Sequence, residues 1–243
     1  MTDIGEAVAV SVITVDEDKC IFCGKSDHEN PKKEIIKPTG WVRGAIEGVG
    51  GRFSAAKKEI YPDGVSPPQK YRAEGHHCLA FSSFIVGAQS KPPNPKDRFA
   101  VLNYYLNEKE YNPNDINNRI DLPGRRELGD TDEHRQYKEF TKAVDAGKPL
   151  QPHIGGHADK FMNASSHALR NIIRAVQQNN LCKLPDDEFK NKILSKVQDA
   201  EDKAFKKTAG VISPWICHPE PIKKAEEHAK KTLGISEIVY PKL

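Results

Sequence analysis

With 243 residues, 37% of them hydrophobic and 29% charged, the chain is long enough to bury a full core and too apolar for an intrinsically disordered one. The formal charge of +3, the pI near 8.5 and the mean hydropathy of −0.66 describe a polar, soluble protein that nucleic acid can approach but that does not demand it.

The first apolar run, AVAVSVITV at residues 7–15, is β-branched and reads as a strand. It is too short to span a bilayer and lacks a basic stretch before it, so neither a transmembrane helix nor a secretory signal peptide is expected. CIFCGK follows at 20–25, and the glycine-rich PTGWVRGAIEGVGGRF at 38–53 reads as loop. A doubled histidine in AEGHHCLAF (73–81) begins an apolar segment read as strand. After the break SKPPNPKD, Asp97 can cap an amphipathic helix over RFAVLNYYLNEKEY. NPNDINNRIDLPGR is turn chemistry with RIDLP as a short extended piece. TDEHRQYKEFTKAVDAG predicts a helix stopping at Gly147. After PHIGG, a long helix is expected from near His157, with Phe161, Ala168, Ile172 and Val176 on one side. LPDDEF opens another helix running to Gly210, and a last short one carries PEPIKKAEEHAKKTLG.

Three features with a shared chemistry lie in order along the chain: His76 with His77, the asparagine-rich turn up to Asn118 with its short strand, and His153 with His157. Hydrolysis of a phosphodiester requires a water deprotonated near neutral pH, for which imidazole has a suitable pKa, and a cation on the scissile phosphate. Adjacent residues on a strand point to opposite faces, so one histidine can hold an ion while its neighbour meets the water. Histidines at i and i+4 share a helix face and can complete the ligands. An asparagine on the second strand can hold the base by hydrogen bond. This order is what a ββα-metal nuclease site requires.

The same stretches resemble the AHH nucleases of the HNH/endonuclease VII superfamily. EGHHCLAF looks like the family signature with Gly75 in place of alanine, YNPNDINNRIDLP is similar to its Asn-containing hairpin, and PHIGGHADKF to its third element. The resemblance covers roughly residues 71–180 and implies roles: His77 as general base, Asn118 orienting it, and His76, His153 and His157 on a divalent ion, whether Mg, Mn, Zn or Ni. It further implies an antibacterial toxin of the polymorphic or type VI effector kind. Such a toxin attacks DNA (RNA stays an alternative), is held by an immunity protein, needs no membrane, and leaves the producer's cytoplasm for the target cell's by a route without signal peptide. His153, just before two glycines, is placed by sequence in a turn ahead of the helix as readily as on it.

Five cysteines, an odd number, argue against a closed disulfide framework and for free or metal-bound thiols. Cys20-Ile-Phe-Cys23-Gly has the form of a zinc knuckle. Its remaining ligands would come from Cys217 with His218, His28 and Cys78. The set expected is Cys20, Cys23, Cys217 and one histidine, named as His218 although neighbouring residues rarely bind one ion. A CxxC redox pair is the weaker alternative, because no thioredoxin-like pattern surrounds it. Cys182 has no partner by sequence. Arg119, Arg125 and Arg126 beside the asparagine hairpin, with Arg170 and Arg174 on the long helix, are placed to grip phosphate.

The expectation is an α+β protein, mostly helical, with a ββα-metal nuclease core and a few short strands. It divides into an N-terminal segment with the zinc knuckle (1–70), the nuclease core (71–180) and a helical extension (181–243). The rival is a non-enzymatic zinc-binding module contacting nucleic acid or protein. A zinc peptidase is disfavoured, because the chain has no HExxH helix.

Overall fold

The computed structural model describes residues 19–20, 22–28, 73–85, 98–124, 133–147, 149–209 and 215–240. The strand expected at 7–15, the loop at 38–53 and the arginines 125 and 126 lie outside them. In order, the elements are β1 (Ala73–His77), α1 (Phe81–Ile85), α2 (Arg98–Glu108), β2 (Arg119–Pro123), α3 (Glu133–Asp145), α4 (Asp159–Gln178), α5 (Asp186–Ala209) and α6 (Pro219–Leu233). Single 3-10 turns occupy Ile116–Asn118 and Leu181–Lys183. The described residues are thus mostly helical with one two-stranded sheet, an α+β arrangement. No helix among them is long and apolar enough to cross a membrane.

Local chemistry explains the boundaries. RIDLP forms β2 and pairs antiparallel with β1, placing His76 opposite Ile120 and His77 opposite Arg119. The apolar segment after the histidines, expected as strand, is instead the helix α1. Asn118 is the physical reason. Its Oδ1 accepts the Leu79 N–H at 2.7 Å, its Nδ2 donates to the Leu79 carbonyl at 3.0 Å, and its own carbonyl takes the Cys78 N–H at 2.7 Å. The Ala80 N–H then donates to Ser165 Oγ at 3.1 Å. Backbone groups that a longer strand would pair are consumed, so the chain turns. The helix α3 ends where Gly147 adopts φ +69°, and α6 where Gly234 adopts φ +66°, left-handed conformations that glycine takes without penalty.

Contacts group the chain into two compact units interleaved in sequence, drawn differently from three consecutive segments. One unit takes the described residues within 44–80, 114–165 and 200–243. Its core joins Ile120 and Leu122 of β2 to Phe140 of α3, Phe161 of α4, Phe205 of α5 and Trp215. Helix α3 packs on α6, and the Phe140 ring stacks on Tyr240 with centroids 6.5 Å apart. Gln151, fully buried, ties three segments together: Oε1 accepts the N–H groups of Trp215 and Ile216 at 3.2 and 3.1 Å, while Nε2 donates to the Thr208 carbonyl at 2.8 Å.

The other unit takes the described residues within 1–43, 81–113 and 166–199. Phe22 meets Phe189 edge to face at 5.4 Å, and Tyr105 meets the same ring at 5.1 Å. The helical stripe read from sequence is largely buried: Phe161 in the first unit's core, Ile172 and Val176 in this unit, and Ala168 half-buried, with Leu169 and Ile173 also buried.

Replacing Gln151 with Leu leaves two backbone N–H groups and one carbonyl unpaired in the interior. Urea unfolding of Q151L is expected to show a stability loss of about 2–4 kcal/mol; an unchanged midpoint would remove Gln151 from this tying role.

Candidate functional site

The loop Gln151–Ala158 has little regular structure of its own, yet backbone bonds hold it at both ends. The His153 N–H donates to the Pro123 carbonyl at 2.8 Å, continuing β2 into a bridge between Gly124 and His153. The Ala158 N–H donates to the Ile216 carbonyl at 2.8 Å and the His218 N–H to the Gly156 carbonyl at 3.0 Å, bridging His157 to Cys217. Between these anchors Gly155 sits at φ +77°, where an added Cβ would lie 3.0 Å from Pro221 Cγ. A Cβ on Gly156 would approach the His218 ring at 3.2 Å. Gly155 lets the loop make this turn, and Gly156 leaves room for the His218 ring.

The result is a convergence of three imidazoles. His76 Nε2 lies 3.0 Å from His157 Nε2, which lies 3.2 Å from His153 Nε2. The ligating nitrogens of the three all fall within 4.8 Å of one another. Nitrogens bound side by side to one ion at about 2.1 Å are separated by roughly 3.0–3.4 Å, so the trio has the dimensions of a ligand set. Phe161 backs it, its ring centroid 5.1 Å from that of His76 and 5.5 Å from that of His157, with Trp215 behind Phe161 at 5.2 Å. His76 is only 3% exposed. Burial, reinforced by neighbouring His153, His157 and His77, holds its pKa well below the usual 6.5. Its ring is therefore neutral at physiological pH and keeps a lone pair for a cation.

Of the two placements the sequence allowed for His153, the turn ahead of the helix is the one found, and His157 lies in that turn as well. Helix α4 begins only at Asp159. The glycine turn, not helical spacing, stacks their rings 18° from parallel.

His77 is half-buried and, by strand alternation, on the opposite face of β1 from His76. Its cross-strand neighbour is Arg119, also half-buried, and Asp121 lies two residues along β2 on that face and is buried. The amide that holds the His77 ring belongs to Asn114, whose Oδ1 is 3.0 Å from Nε2. Asn118, expected in that place, is committed to Leu79. Sequence reading missed Asn114 because the same turn offers several asparagines with no periodicity to choose among them. Of the arginines read as phosphate contacts, Arg125 lies outside the described residues, and Arg170 is exposed on the part of α4 that belongs to the other unit.

A second convergence, in that other unit, gathers Cys20, Cys23, His28 and Cys182, whose ligand atoms also lie within 4.8 Å of one another. This corrects the zinc set read from sequence. Cys217 is buried in the hydrophobic core beside the histidine loop, and His218 is the exposed residue that precedes α6. Cys78, the other cysteine considered, is also in that core. Burial, then the neighbouring Cys20, pushes the Cys182 thiol up to about 12. Both groups are compatible with metal binding.

Two outcomes are expected of the histidine site. Gly155→Ala places a Cβ in the left-handed region and against Pro221, costing roughly 1–2 kcal/mol and loosening the trio, measurable as a lowered melting temperature with weakened metal uptake. For the metal-free protein, the folded pKa of His76 lies below the unfolded value of 6.5. The unfolded chain therefore takes up a proton that the folded chain refuses. Stability is complete above pH 6.5 and falls as the pH drops below it toward the folded value. A melting temperature that His76→Gln leaves equally pH-dependent over that range would refute this assignment.

No protein-family model, curated protein or solved structure matches this chain significantly, so the chemistry of the site is argued from its own geometry.

Proposed function

We propose that the chain is a metal-dependent endonuclease of the ββα-metal type, hydrolysing phosphodiester bonds, DNA foremost, and serving as an antibacterial toxin restrained by an immunity protein. The observation that carries this reading is the split of the doubled histidine. His76 joins His153 and His157 on one side of β1 while His77 stands on the other beside Arg119.

His76, His153 and His157 would hold the divalent ion. Three imidazoles fit it, being neutral donors that suit Zn and Ni better than the oxygen-preferring Mg. When bound, the ion stabilises negative charge on the scissile phosphate and the departing oxygen. The remaining roles fall to the chain. Asn114 Oδ1 can only accept, so His77 Nε2 carries the hydrogen in their 3.0 Å contact. The lone pair then resides on His77 Nδ1, the nitrogen that would take the proton from water. Asn114 acts as a positioning residue that fixes the tautomer and the ring's angle. Arg119, directly across the ladder from His77, can contact a phosphate oxygen with a charge-assisted hydrogen bond.

Purified protein is expected to nick plasmid DNA when supplied with Zn²⁺, Ni²⁺, Mn²⁺ or Mg²⁺ in turn, and to stop with EDTA. His77→Ala should lose about 10²–10⁴-fold in rate while keeping its metal. Asn114→Ala should lose about 10- to 100-fold through misorientation, whereas His157→Ala should lose the ion itself. Expression inside bacteria without a partner should arrest growth for wild type and not for His77→Ala. Wild type that binds metal, remains folded and cuts neither DNA nor RNA with any ion would sink the nuclease reading and favour a binding module.

A further inference from the structure

The cysteine–histidine cluster lies in the unit that lacks the histidine trio, and its geometry is complete without reference to nuclease chemistry. Backbone bonds close a knuckle between Cys20 and Lys25: the Gly24 N–H donates to the Cys20 carbonyl at 2.7 Å and the Cys20 N–H to the Lys25 carbonyl at 2.8 Å. Gly24 makes this turn at φ +74°, a conformation costly for other residues. The turn brings the sulfurs of Cys20 and Cys23 toward one point. His28 follows, with Nε2 3.8 Å from Cys23 Sγ. Its Nδ1 lies 2.7 Å from Asp27 Oδ1. A carboxylate oxygen accepts, so Nδ1 bears the hydrogen and Nε2, the atom turned to the sulfur, keeps its lone pair.

The fourth donor comes from far along the chain. Cys182 sits in the 3-10 turn between α4 and α5, entered through Asn180 at φ +50°, and is 1% exposed. Cys20 is 2% exposed, and none of the three sulfurs is in a disulfide. Lys183, next to Cys182, reaches back to Asp27 Oδ2 at 2.7 Å. Gln177 donates to the Phe22 carbonyl, and Phe22 is buried against Phe189. Phe22 and Asp27 are thereby tied to the end of α4 and to the α4–α5 connection.

We infer that Cys20, Cys23, His28 and Cys182 form a closed tetrahedral zinc site that fastens the knuckle cysteines and His28 to the α4–α5 connection. Three thiolates and one imidazole are a standard donor set for structural zinc, and a sulfur–nitrogen separation of 3.8 Å is near the roughly 3.5 Å of tetrahedral neighbours at about 2.3 and 2.1 Å from the ion. All four positions are filled by protein, which leaves none for a water or a substrate; the role is structural. Asp27 supplies the carboxylate that fixes a ligating histidine from behind. Binding releases the three thiol protons to solvent and so tightens as pH rises. The chain then carries two ions of different kinds, one caged by sulfur and one held by three nitrogens.

The test uses the full chain, reduced and stripped of metal, titrated with Co²⁺ and followed by absorption. Expected is one equivalent giving thiolate-to-cobalt charge transfer with intense tetrahedral d–d bands, both erased by Zn²⁺. His157→Ala should leave those bands intact, and Asp27→Asn should weaken zinc about tenfold. Cys182→Ala should lose the third sulfur's share of the charge transfer. Should that variant fail to fold, alkylation of the wild type decides instead: zinc should protect Cys20, Cys23 and Cys182 together, and a strong chelator should expose all three. A folded wild type with no thiolate charge transfer, or zinc that protects Cys20 and Cys23 but not Cys182, would overturn the site.

Discussion

The loop from Gln151 to Ala158 has no ladder or helix to support it, and the histidine site depends on how it is held. One end continues β2 through the His153 N–H, and the other is bridged to Ile216–His218. Gln151 pins the same region from within, spending both ends of its amide on Thr208, Trp215 and Ile216. If either anchor slackened, His153 and His157 would have no reason to face His76. The two glycines between them permit the turn, but the bonds to distant segments select it. A buried glutamine with three partners is thus as much a part of the site as any imidazole.

The second constraint is the pleat of β1. Adjacent residues on an extended strand cannot face the same way, so a doubled histidine on a strand becomes one inward and one outward group. The inward ring lies on Phe161 and is kept neutral by burial. The outward ring shares its face with Arg119 and takes the Asn114 amide. The buried ring and the half-buried one are separated by the thickness of one strand.

Much of this was legible in the residues. The extended RIDLP, the helices ending at Gly147 and Gly234 and the stripe on α4 follow from local signals of turn chemistry and periodicity. The grouping of His76, His153 and His157 as one set came instead from the order of three distant elements and from the family resemblance. What local signals could not supply were choices among chemically equal candidates. Asn114 and Asn118 sit in one turn, and only the path of the chain decides that the first meets the imidazole while the second closes on Leu79. Sequence reading picks Cys217 as the third thiol and gives Cys182 no partner, because nothing in the sequence ties either to the knuckle. Cys182 is brought to the knuckle by the turn after α4 and Cys217 is sealed into a core. The sequence left His153 between a turn and a helix start, and Gly155, in a left-handed conformation, decides for the turn while the pairing with His157 is present.

The bridge between His157 and Cys217 also has a meaning in time. A ribosome delivers the chain from its N-terminus, and domains assemble as their parts emerge. His76 and His157 are 81 positions apart, yet the strip that steadies His157 comes later still, at residues 216–218. Until that strip has been made, the loop has only its β2 anchor and the three nitrogens are not fixed together. A nascent or prematurely terminated chain would therefore carry every histidine of the site while lacking the site.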